Sequence, residues 1–174
     1  VKQFTNVPSS ACTASTILAA SNIVASKSYE SEMYLRGDWY LTVMLHDESE
    51  LNSYTVKQGT STLTEGSGYY ASTKVTGSDG KEKTQYLFIP VDKTNASVTY
   101  SVTVADTDHT ITNTYSLNID NTAPSIESVY KGSTYNAANV LSETNDNTVA
   151  DSNYVYTLGG TVDETASGFE RLTF

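Results

Sequence analysis

The sequence predicts an all-β protein, one complete sandwich followed by the start of a second. Three observations carry that expectation. Several stretches alternate apolar and polar residues with a period of two, the pattern of half-buried strands. Turn-forming residues separate those stretches at short intervals, as in sandwiches. After Asp120-Asn-Thr-Ala-Pro124 the strand pattern starts again.

Residues 1–22 carry weak signals and are expected to be an irregular lead-in, with one or two helical turns near Thr13 to Ser21. The first domain is expected over 23–121. In it, Trp39, Leu41, Val43 and Leu45 fall on one face of a strand, and Tyr40, Thr42, Met44 and His46 on the other. Asp47-Glu-Ser-Glu50 breaks that run as a polar loop, and Leu51 to Lys57 reads as the next strand. Gly59 to Gly68 is turn-like. Gly77-Ser-Asp-Gly80 is a strong turn, since Gly and Asp tolerate left-handed backbone. Thr84 to Ile89 is a strand stopped by Pro90, with Phe88 expected among the inward residues of the sandwich.

The clearest stretch follows. Val98, Tyr100, Val102 and Val104 point inward, Asp106-Thr-Asp-His109 connects a hairpin, and Ile111, Tyr115, Leu117 and Ile119 share a face of the returning strand. A proline cannot donate to a ladder, so Pro124 marks a junction. Residues 122–174 then read as three strands of a second domain: Ser125 to Tyr130, Asn153 to Val162, and Phe169 to Phe174. Leu41 to Ser49 and Leu158 to Thr165 both run from a strand into Asp-Glu-Ser/Thr, an internal recurrence that indicates repeats. Three strands cannot cover their own inner face. Residues beyond 174, or a strand from another chain, are expected to complete the second domain.

Composition bounds the function. Hydrophobic residues make up 38% of the 174, with 13 Tyr and one Trp, enough for a core. Twenty acids against ten bases give a net charge of −10. Nucleic-acid binders offset phosphate charge with a basic patch, and anionic membrane surfaces attract basic segments, so neither partner is expected. No apolar run nears the ~18 residues of a membrane span, and no membrane insertion is expected in this segment. The single Cys12 allows no internal disulfide. The chain is expected to be an internal segment whose targeting signals lie elsewhere.

The run Ser116-Leu-Asn-Ile-Asp-Asn-Thr-Ala-Pro-Ser-Ile126, and the corner Gly160-Thr-Val-Asp-Glu-Thr-Ala-Ser-Gly-Phe169, resemble bacterial immunoglobulin (Ig)-like domains of tandem-repeat surface proteins and adhesins. Tyr100-Ser-Val-Thr-Val104 is similar to the strand F tyrosine corner of such sandwiches. Trp39 departs from the pattern: the usual core Trp lies on strand C, and this one sits on strand B. The resemblance implies an Ig-like β-sandwich, adjacent Ig-like repeats, and an extracellular site, at the cell surface or secreted. It implies a non-catalytic stalk or interaction role with a protein or glycan partner. Two alternatives stay open: a carbohydrate-binding or accessory module of a secreted enzyme, with Tyr29, Tyr34, Tyr40, Tyr69 and Tyr70 as its sugar platform, and a filament subunit completed by strand exchange.

No catalytic constellation or cofactor motif is legible. G-x-S-x-G, CxxC, phosphate-loop and EF-hand patterns do not occur. His46 with Asp47-Glu48, and His109 with Asp106 and Asp108, are expected at one end, where the B–C and F–G loops of a sandwich meet, and such a cluster would suit a metal ion; two exposed loop histidines in an acidic rim is the plainer reading. Calcium is the one metal expected, at the junction. Hard cations want several oxygens, and topology places Asp163 and Glu164 near Asp120 and Asn121. Turn capping alone also accounts for the linker pair. The resemblance to adhesin domains also brings in a crosslink from Lys27 to Asn113 or Asn118, for which the sequence places no acid partner, and Cys12 reads as an inert thiol.

Overall fold

The computed structural model describes residues 1–106, 108–122, 125–131 and 158–163. The chain forms two compact units, Val1–Asn121 and Thr122–Phe174. In the first, β1 (Lys2–Phe4), a short helix α1 (Ala14–Ile17), β2 (Ile23–Ser26) and β3 (Met33–Leu35) precede the long strand β4 (Tyr40–His46). Then follow β5 (Ser53–Gln58), β6 (Ser61–Thr62), β7 (Tyr70–Ala71), β8 (Val75–Thr76), β9 (Glu82–Pro90), β10 (Ser97–Ala105) and β11 (Thr110–Ile119).

These strands form two sheets. One runs β2-β1-β4-β9-β7, with β8 also on β9; the other runs β3-β11-β10-β5-β6. Neighbours such as β4 and β9, or β5 and β10, are distant in sequence, so the chain crosses between sheets. β3 pairs in parallel with the last residues of β11. β4 with β9 facing β5 with β10 and β11 is the B–E, C–F–G arrangement of an Ig-like sandwich, and the first unit has that fold.

The main core lies between the sheets. Leu41, Val43 and Leu45 of β4 meet Leu87 and Ile89 of β9, with Val98, Tyr100, Val102 and Leu117 from the facing sheet. Trp39 is buried just before β4, and its indole N–H donates to the Arg36 carbonyl (3.0 Å).

A second, smaller core sits on the other face of the first sheet. Leu87, Phe88 and Ile89 are all 0% exposed. Successive strand residues point to opposite faces, so both faces of β9 must be covered there. Phe88 packs with Phe4 and Ile17, and with half-buried Tyr40, Tyr70 and Tyr86. Phe4 meets the rings of Tyr40 and Phe88 edge-on, at 5.6 and 5.8 Å. Two expectations are corrected here. Residues 1–22 are no irregular lead-in: β1 pairs with β2 and β4, and Phe4 and Ile17 are buried. Phe88, expected among the inward residues of the sandwich, faces this outer cluster instead.

Tyr100 fixes the corner between β9 and β10. Its hydroxyl accepts the Asp92 N–H (2.8 Å) and donates to the Pro90 carbonyl (3.1 Å). The backbone upstream of β10 is thereby tied to the core, as in a tyrosine corner. Asp92 organises the same loop. Its carboxylate accepts from the Thr94 hydroxyl and N–H (2.7 and 2.8 Å), from Gln58 (2.7 Å) and from Asn95 (3.3 Å). The Gly77–Gly80 turn forms as expected, with the Gly80 N–H on the Gly77 carbonyl and Gly80 at φ +81°.

In the second unit β12 (Ser125–Lys131) pairs antiparallel with β13 (Leu158–Asp163), from Ser125↔Asp163 to Lys131↔Leu158. The third expected strand, Phe169 to Phe174, lies outside the described residues.

Candidate functional site

The candidate site is a groove of about 220 Å3 at the end of the first sandwich. Its floor is apolar: Val43 and Leu45 from β4, Val102 and Val104 from β10, Ile111 and Tyr115 from β11. His46 and Asp47 stand on one lip, Asp106 and His109 on the other. Topology thus brings both histidines to one groove, as the shared B–C and F–G end requires.

Each lip is internally bonded. His46 Nδ1 lies 2.8 Å from the Thr84 hydroxyl, and Nε2 lies 3.3 Å from the Glu48 carboxylate. The Asp47 carboxylate accepts the N–H groups of Ser49 and Glu50. Asp106 accepts the N–H groups of Asp108 (2.8 Å) and His109 (2.6 Å), and its oxygen lies 3.7 Å from His109 Nδ1. Those two N–H groups hold the Asp106 carboxyl below the usual carboxylate range. Among the described residues no group of three or more His, Cys, Asp or Glu side chains is placed to hold a metal ion.

The calcium residues fare differently. Asp120 is 5% exposed, and its backbone N–H donates to the Leu35 carbonyl. The Asn121 amide donates to the Lys93 carbonyl (2.9 Å). Asp163 ends β13 in the second unit, and Glu164 lies outside the described residues. Asp120 and Asn121 thus belong to the first unit and Asp163 to the second.

The five-tyrosine sugar platform is not assembled. Tyr69 is buried. Tyr40 and Tyr70 pack in the outer cluster. Tyr29 packs edge-on against Tyr115 (5.2 Å) and accepts the Ser116 N–H. Of the five, Tyr34 alone is widely exposed. The crosslink residues are engaged separately: Lys27 lies over the Trp39 ring, the Asn118 amide donates to the Glu32 carbonyl, and Asn113 lines the groove. Cys12 packs beside β7, its thiol 3.7 Å from the Ala71 carbonyl.

The carboxylates predict acid sensitivity. The Thr94 hydroxyl and amide hold the Asp92 carboxyl below its ordinary value, and Lys83 does the same for Asp79. A carboxyl whose folded pKa is depressed contributes stability above its unfolded pKa and loses it as pH falls through the folded value. Thermal unfolding should therefore show the midpoint dropping from about pH 5 to about pH 2, with a shallower drop in Asp92→Asn. Equal slopes would remove Asp92 from that account.

No family model matches this chain, and no curated protein matches it. Among solved structures it is similar to a tandem of titin Ig domains, at 14% identity and a TM-score of 0.39, over 55% of this chain. The match spans 46% of the titin chain, less than half its length.

Proposed function

We propose that this chain is a non-catalytic Ig-like module of an extracellular bacterial surface protein, acting as a stalk or interaction domain among similar repeats. One observation carries the reading: the first unit ends at Asn121, directly after β11, and a new strand begins at Ser125. The connector between them is short, polar and proline-containing. Sandwich, short link and renewed strand are what a tandem array needs. Repeats that contact only their neighbours extend into a quasi-linear stalk.

The module reading is tested by pulling on single intact chains. The first unit should open in one cooperative event, releasing about 400 Å of chain at the extended length per residue. Gradual lengthening without such an event would contradict it. Limited proteolysis should cut first near 121–125 and leave a stable core of residues 1–121. Hydrolysis of ester, peptide or glycoside substrates that tracks the chain through purification would overturn the non-catalytic assignment.

A further inference from the structure

We infer that the lateral edge of the first sandwich is a docking slot for an extended, Lys- or Arg-bearing segment of another protein, which adds a strand to β11. This names the partner of the interaction module proposed above and rests on that reading.

The slot exists because the early strands stop short. β1 meets β4 only at Tyr40, and β3 meets β11 only from Leu117 to Ile119. The N-terminal residues Phe4 and Ile17 lie over the outer face of the first sheet rather than along this edge. In an antiparallel pair, backbone groups point alternately to the partner and away. The Asp106 N–H donates to His109 and the Ile119 N–H to Ala96, so the odd-numbered residues of β11 bond β10. Its even-numbered residues face the outer edge. At that edge Ser116 is satisfied by the Tyr29 hydroxyl and the Glu32 N–H. Thr110, Thr112 and Thr114 have no strand beside them among the described residues.

Ile111 gives the second sign. It pairs with Val104 and points to the interior face, yet it is 65% exposed. The groove beneath it is apolar. An added strand with apolar residues at alternate positions would bond Thr110–Thr114 and cover Ile111, the mode of recognition that open sheet edges support.

Charge selects the occupant. Asp47 lines one lip, with Glu48 next to it on His46, and Asp106 lines the other, with Asp108 bonded to it, and the chain carries −10. The nearby cation Lys83 is already paired with Asp79 (2.8 Å). A second copy fits poorly: antiparallel β11–β11 pairing would set Asp106 and Asp108 of one copy beside Glu30 and Glu32 of the other. A basic segment meets the lips with opposite charge, which favours encounter and register.

The test titrates 15N-labelled intact chain with two end-capped peptides, Lys-Val-Thr-Val-Thr-Val-Lys and its counterpart with Glu for Lys. The lysine peptide should shift and slow the exchange of the Thr110, Thr112 and Thr114 amides. The glutamate peptide should bind at least about tenfold more weakly. Thr112→Pro removes one edge donor, a change edge strands tolerate, and should abolish the shifts; Thr114→Pro serves if that variant does not fold. Equal affinity for both peptides, shifts confined to other surfaces, or self-association through β11 without peptide would overturn the inference. Any of these leaves the pulling and proteolysis outcomes intact, so the module reading fails or stands separately.

Discussion

Phe88→Ala should lower the stability of the first unit by about 3–5 kcal/mol, the usual cost of emptying a buried aromatic site. It should also release the N-terminal segment. Phe88 is fully buried, but its partners are Phe4 and Ile17 rather than the inter-sheet core. Removing the ring leaves Phe4 without one of its two aromatic partners. Protease cleavage within residues 1–26 should therefore accelerate in Phe88→Ala. Leu87→Ala, on the same strand but facing the main core, should cost about 2–5 kcal/mol. It should leave that cleavage tied to global unfolding. Urea denaturation with parallel proteolysis reads both. If the two variants expose residues 1–26 alike, the second core is not an independent attachment.

Tyr100→Ala should cost about 3–5 kcal/mol as well, judged from large aromatic truncations. Tyr100→Phe separates hydroxyl from ring. It deprives the Asp92 N–H of its acceptor and the Pro90 carbonyl of its donor. Leaving a buried donor unpaired costs about 1–3 kcal/mol. The loss in Tyr100→Phe should come with faster amide exchange at Asp92 and Thr94, because the loop loses its tie to the core. A phenylalanine variant as stable as the parent would mean that the ring alone holds this corner.

The parts legible in the sequence are those with long, regular alternation. β4, β10 and β11 span seven, nine and ten residues, enough periods to assign their faces, and Asp47–Glu50 and Asp106–His109 end β4 and β10 where turns are needed. The meeting of His46 and His109 followed from topology alone. The lead-in was illegible because β1 has three residues and α1 four, too few for either period to show. Phe4, Ile17 and Phe88 are distant in sequence, and only folding brings them together. Phe88 sits in an unbroken apolar run, Leu87-Phe-Ile89, where both faces are covered and alternation vanishes. Ile111 shows the converse. Its facing was readable, but its exposure depends on the neighbouring strand β3 beginning only at Met33, beside Leu117. Tyrosine exposure was equally hidden, since Tyr suits half-buried strand positions and open surfaces alike.

A sandwich with an open lateral edge at β4 and β11 among the described residues is the central claim, and amide exchange along these two strands of the intact chain tests it most directly. Leu41, Val43 and Leu45 should exchange slowly because they bond β9, and Ile111, Asn113 and Tyr115 because they bond β10. Met44, His46, Thr110, Thr112 and Thr114 should exchange fast. An alternation of slow and fast from Thr110 to Tyr115 is the expected result. Uniform protection along both strands would show the edge covered, uniform exchange would show no sheet there, and either would contradict the account.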